Sequence, residues 1–90
     1  MNAMKHATDV ALERLEPLIA KIRDIPGVVE KKRGIFYRAG RALVHFHEDG
    51  VDLFADIKVD NEWVRQRVST KVEQATLLRS LKSKEMTKAS

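Results

Sequence analysis

The sequence predicts a two-layer α+β domain in which a four-stranded antiparallel meander carries an N-terminal and a C-terminal helix on one face (α-β-β-β-β-α). The segment 34–59 alternates apolar and polar residues on both sides of an Asp49-Gly50 pair, which is a strong signal for a β-hairpin. Amphipathic helical patterns flank the strands on both sides. The connections between strands are short, which favours antiparallel neighbours, because parallel neighbours need a long crossover.

Length and composition are typical of one small domain spanning residues 1–90. With 90 residues, 43% of them hydrophobic, the chain can bury a modest core, which we expect to span about 8–82. The absence of cysteine excludes disulfides and thiolate chemistry. A net charge of +4 is only weak support for an anionic partner. Since neither a secretory pattern nor an apolar run of about 18 residues is present, we expect a cytoplasmic, bacterial-type protein without membrane contact.

The first helix is expected within residues 8–24, where apolar residues recur at steps of three and four. Pro17 predicts a kink or a break, and the unbroken apolar stripe favours a kink. Ile25-Pro26-Gly27 should end the helix. The following charge run, Glu30 to Arg33, is interpreted as a solvated connection.

Four strands joined by two-residue turns follow. The Asp49-Gly50 turn predicts that His47 lies opposite Asp52 and that His45 lies opposite Phe54. The turns at Ala39-Gly40 and Asp60-Asn61 join the other strands, and the latter pairs Asp56 with Arg65. The four expected strands are Ile35 to Arg38, Ala42 to Glu48, Val51 to Val59 and Trp63 to Val68.

The last helix should begin with a capping box formed by Thr70 and Glu73. Its expected core-facing stripe consists of Val72, Ala75, Leu78 and Leu81. The segment 83–90 lacks periodicity and is expected to be a frayed tail.

Alternation along the strands divides the sheet into two faces. The apolar face is expected to pack against both helices. The other face is polar but contains aromatic residues, and a bulge at Gly40 would move Phe36 from it to the core. The expected core consists of Val44, Phe46, Leu53, Ala55, Ile57, Val64 and Val68, and the expected outer face of Leu43, His45, His47, Asp52, Phe54, Asp56, Lys58, Trp63, Arg65 and Arg67.

His45 and His47 are two residues apart and should project from the same face. Together with Asp52 they offer feasible ligands for zinc. We interpret them instead as half-exposed cross-strand partners. We expect neither a metal nor another cofactor, because the remaining histidine, His6, lies in an N-terminal segment expected to be flexible. His–Asp pairs exist on this face without a serine or threonine beside them, so no catalytic residue is predicted and the protein is not expected to be an enzyme.

Two functions fit the outer face. The first is a non-enzymatic interaction domain that binds itself or another protein, because exposed aromatic residues often mark interfaces. The alternative is binding of an anion or nucleic acid through Arg65, Arg67 and Lys58 with neighbouring aromatic residues. The candidate binding residues are His45, His47, Phe54, Trp63, Arg65 and Arg67.

Five short motifs carry a resemblance to known proteins. They are Phe36-Tyr37, Leu43-Val44, His45 to Asp49, Leu53 to Asp56 and Val68 to Thr70. This pattern, FY…HFHED…LFAD…VST, resembles a family of small uncharacterised bacterial proteins and implies no particular activity. The helix, basic linker and hairpin are more distantly similar to the N-terminal domain of the competence regulator TfoX and to YjbR-like proteins. The chain lacks the Met-Phe-Gly-Gly start of the former, so this likeness concerns the fold.

Overall fold

The computed structural model describes the backbone of residues 5–89 and the side chains of residues 5–82. The chain forms an α+β domain, as predicted. The elements in order are β1 (Lys5–His6), α1 (Asp9–Arg14), α2 (Glu16–Arg23), β2 (Val28–Lys32), β3 (Ile35–Arg38), β4 (Arg41–Asp49), β5 (Asp52–Val59), β6 (Glu62–Arg67) and α3 (Lys71–Ala89).

The sheet is antiparallel and has six strands, so the prediction of four strands is wrong. The strand order is β2-β3-β4-β5-β6, and β1 pairs with β4. Strand β2 contains most of the charge run interpreted as a connection. Charged residues are common on edge strands because they discourage pairing with other chains, so a charge run does not exclude a strand.

The N-terminal helical segment is broken at Leu15 rather than kinked. Leu15 ends α1 and begins α2, and its N–H still donates to the carbonyl of Ala11 at 3.1 Å. Pro17 therefore lies in the first turn of α2, where its missing N–H removes no helical hydrogen bond. The apolar stripe survives the break, because Leu15 and Ile19 are both fully buried.

The β5–β6 hairpin has the predicted register, with Asp56 opposite Arg65. Its turn residues, Asp60 and Asn61, have φ of 52° and 70°, as a primed turn requires. Ala39 and Gly40 in the β3–β4 turn likewise have positive φ, at 52° and 77°. Both turns match the right-handed twist of the strands they join.

The β4–β5 hairpin turns one residue later than predicted, at Gly50-Val51. His47 consequently lies opposite Phe54, and His45 lies opposite Asp56, so the predicted His47–Asp52 and His45–Phe54 pairs are wrong. Gly50 has φ of +63° and occupies the first central position of the turn. The register changes by two residues, and an even change keeps every side chain on its predicted face.

The core lies between the helices and the inner face of the sheet. Phe36 is fully buried because an irregularity between β3 and β4 places it opposite Val44. Leu43, expected on the outer face, is buried as well. Val64, expected in the core, is 40% exposed because β6 is an edge strand. The buried apolar residues are Ala11, Leu12, Leu15, Leu18, Ile19, Ile22, Ile25, Phe36, Leu43, Val44, Phe46, Leu53, Ala55, Ile57, Val68, Leu77 and Leu81.

Helix α3 begins with the predicted capping box. Thr70 Oγ1 accepts a hydrogen bond from the Glu73 amide at 3.1 Å, and Glu73 Oε1 accepts one from the Thr70 amide at 3.0 Å. The predicted stripe is wrong at Val72, which is 77% exposed, and at Ala75, which is exposed as well. Leu81 is buried as predicted, and Leu77 is buried although it was not part of the stripe. The side-chain amide Nε2 of Gln74 donates to the Val68 carbonyl at 3.0 Å, which ties this side of the helix to the end of β6.

The predicted fraying of 83–90 concerns residues whose side chains lie outside the described part, and it stays a prediction. Among the described residues, no helix is long and apolar enough to cross a membrane.

Candidate functional site

Three histidines come together on the outer face of the sheet. His45 and His47 project from β4 on that face, as predicted, and His6 lies on β1 directly opposite His47. These are all three histidines of the chain. The expectation that His6 lies in a flexible start is wrong. A two-residue strand has too little periodicity to be recognised, so sequence reasoning had no signal for it.

The His6–His45–His47 cluster is closely packed. The His6 ring stacks on the His47 ring with centroids 4.8 Å apart, and the His45 and His47 rings meet edge to face at 4.8 Å. One candidate ligand atom from each imidazole lies within 4.8 Å of the others. The edge of the cluster is closed by Trp63, whose ring centroid lies 4.6 Å from that of His45.

Two nitrogens in this cluster are buried without a hydrogen-bond partner: His45 Nδ1 and His47 Nε2. His47 Nε2 lies 3.2 Å from Asp56 Oδ2, close enough for an ion pair with a protonated ring but without hydrogen-bond geometry. Burial lowers the pKa of both His45 and His47, and the negative charge of Asp56 partly opposes this. Their lowered pKa values favour neutral rings, each with a free lone pair, at neutral pH.

Asp56 is a buried carboxylate held by Arg65, as the predicted pairing requires. Both guanidinium contacts, from Nε to Oδ1 and from Nη2 to Oδ2, measure 2.7 Å. These hydrogen bonds hold the pKa of Asp56 below its ordinary value. Asp56 is therefore a fixed negative charge beside the histidines.

Arg67 also forms ion pairs within the domain. Its guanidinium bridges Asp52 at 2.9 Å and Glu73 at 2.8 Å. The bridge joins β5 and β6 to the first turn of α3. Phe54 itself is half-buried between His47 and Arg67 in the strand register.

Trp63 is the most exposed aromatic side chain among the described residues, at 43%. The Lys58 ammonium lies 4.5 Å from its ring centroid, a cation–π contact that covers part of one ring face. The next residue, Val64, points to the opposite face and is 40% exposed. Edge strand β6 is therefore accessible on both faces.

A shallow cavity of about 220 Å³ opens beside the cluster, between β1 and the β2–β3 turn. His6 and His45 lie at its rim, while Leu12, Ile35 and Phe46 give it an apolar wall. A site of this size has room for water molecules or a small ligand next to the imidazoles.

The six candidate binding residues lie on adjacent strands, but they do not form one site. His45 and His47 belong to the histidine cluster and Trp63 packs against it, whereas Arg65 and Arg67 are bound to carboxylates of the domain. Comparison of the chain with protein-family models, curated proteins and solved structures gives no match.

Proposed function

We propose that the protein is a non-enzymatic interaction domain that pairs with a second copy of itself through strand β6. The observation that carries this proposal is the exposure of β6, an edge strand whose Trp63 and Val64 side chains are 43% and 40% exposed on opposite faces. An edge strand presents backbone N–H and C=O groups that a further strand can bind.

Two-fold symmetry restricts how two β6 strands can pair. An antiparallel pair around an axis perpendicular to the sheet places opposite residues on the same face. If the two-fold axis passes next to Val64, this residue lies opposite Val64 of the second copy. Trp63 then lies opposite Arg65 of the second copy. An apolar contact then forms on one face and an arginine–tryptophan contact on the other, both of which favour pairing.

The charges of the outer face support protein association over nucleic-acid binding. Arg65 and Arg67, the cations expected to bind phosphates, already pair with Asp56 and with Asp52 and Glu73. Phosphate binding would have to replace these ion pairs, which removes much of the electrostatic gain.

The test is the molar mass in solution as a function of protein concentration, measured by light scattering for the wild type and for Trp63→Ala. We expect a concentration-dependent dimer for the wild type and a shift toward monomer for the variant. The matched control is Val72→Ala, which removes an even more exposed apolar side chain from α3 and should leave the dimer intact.

A wild type that stays monomeric at all concentrations, or a Trp63→Ala variant that dimerises as well as Val72→Ala, would contradict the proposal. Titration with a labelled single-stranded oligonucleotide at several salt concentrations tests the alternative function, which is nucleic-acid binding. Tight binding that weakens steeply with salt would favour nucleic acid, because phosphate contacts release counterions.

A further inference from the structure

The histidine cluster contains buried nitrogens that side-chain packing alone leaves without a partner. His45 Nδ1 and His47 Nε2 are both buried and lack hydrogen-bond partners. A buried polar atom without a partner costs free energy, so the native arrangement is expected to offer each nitrogen some compensation. A metal ion would accept the lone pairs of these nitrogens directly.

Two strands supply the possible ligands. His6 from β1 and His45 and His47 from β4 offer nitrogens within 4.8 Å of one another. Three imidazoles and no cysteine form a donor set that suits zinc and neighbouring divalent transition metals, and not magnesium or calcium, which prefer oxygen. We infer that His6, His45 and His47 form a binding site for a zinc-type divalent transition metal ion.

Small side-chain rotations are enough to close the site. Tetrahedral zinc, at about 2.0–2.1 Å from each nitrogen, places ligand nitrogens about 3.3 Å apart. The existing separations of up to 4.8 Å must therefore shorten by roughly an ångström or more. His6 is exposed and has room to turn from its stacked position on His47, while His45 and His47 already project from the same face of β4.

The surroundings complete the site. Asp56 lies next to His47 and contributes negative charge, while both of its oxygens are already bound by Arg65. The ion would thus have three protein ligands and an open fourth position, and the cavity at the rim of the cluster gives water access to it. The cation-binding site adjoins the β6 edge proposed for association, because the Trp63 ring packs against that of His45, but its ligands lie on β1 and β4.

The experiment is calorimetric titration of the purified protein with zinc chloride, repeated with magnesium chloride. We expect one zinc ion per chain with micromolar or tighter affinity, and no binding of magnesium. His6→Gln should weaken zinc binding by at least about tenfold, because the change removes a ligand outright. Lys5→Gln, the neighbouring change on β1, should bind zinc nearly as well as the wild type and serves as the matched control.

Imidazole NMR signals give a second measurement. Because the chain has only three histidines, every imidazole signal reports on this cluster, and zinc should shift all three signals together. His6 is exposed, so circular dichroism of His6→Gln is expected to match the wild type. Absence of stoichiometric zinc binding, equal affinity in His6→Gln, or a shift of fewer than three imidazoles would overturn the inference.

Discussion

At the residue scale, Arg65 and Arg67 show how the burial of a partner decides what an ion pair contributes. Both guanidinium side chains are 46% exposed, yet the side chain of Asp56 is 10% exposed and that of Asp52 is 43% exposed. Sequence reasoning placed both arginines correctly on the outer face. The different burial of their partners could not be predicted, because alternation along a strand indicates a face but not the burial of each position on it.

We expect Arg65→Gln to lower the free energy of unfolding by about 1–3 kcal/mol, because a buried carboxylate loses two charged donors. Arg67→Gln should cost clearly less, because its partners stay accessible to water. Denaturant unfolding of the two variants measures the difference. Equal losses would show that the burial of Asp56 does not increase the contribution of its ion pair to the free energy of unfolding.

At the element scale, β2 was missed and the β5–β6 hairpin was found. Asp60-Asn61 predicts the hairpin through local turn geometry, which sequence records directly. Strand β2 depends on side-chain contacts with residues outside it: Glu30 binds Arg23 of α2 and accepts a hydrogen bond from the Gly34 amide at 2.8 Å. Arg33 similarly bonds to Glu13 at 3.0 Å. A charge run gives no sign of such partners.

The ion pair of Glu30 with Arg23 predicts a pH dependence of stability. The Arg23 hydrogen bonds, together with that from Gly34, hold the pKa of Glu30 below its ordinary 4.5. The folded state therefore binds this proton less readily than the unfolded chain. Stability from Glu30 is full above about pH 4.5 and is lost as the pH falls through the lowered pKa.

We expect Glu30→Gln to lower the free energy of unfolding near pH 7 by about 1–2 kcal/mol and to reduce its fall in acid. Glu13→Gln is the control, since the Glu13 side chain is 75% exposed and should contribute little. Thermal unfolding between pH 3 and pH 7 measures both effects. An acid transition unchanged by Glu30→Gln would mean that other carboxylates control it.

At the scale of the whole molecule, the core and the histidine cluster lie on opposite faces of one sheet. The antiparallel α+β architecture followed from apolar periodicity and short connections, because those patterns record which face is buried. The cluster could be predicted only in part. His45 and His47 are two residues apart on one strand, but His6 joins them through long-range pairing of β1 with β4.

This separation predicts that the domain folds without metal. The helices and the inner face close the core, including Phe36 and Leu15, without any contribution from the histidines. The protein treated with excess EDTA should therefore keep the near-ultraviolet circular dichroism signal of a folded Trp63 environment and a cooperative thermal transition. Collapse of that signal on chelation would instead indicate a structural metal.

The pairing of β1 with β4 closes a long loop of the chain through non-covalent contacts. His6 and His47 are joined across a loop of roughly forty residues, held by backbone bonds such as that from the Ala7 amide to the Phe46 carbonyl at 3.1 Å. A chain without cysteine has no covalent way to lock such a loop. An ion shared by these histidines would act as a reversible crosslink that fastens the first strand to the middle of the sheet. Hydrogen exchange at the Ala7 amide would then slow when zinc is added, while exchange at the amides of helix α2 would change little.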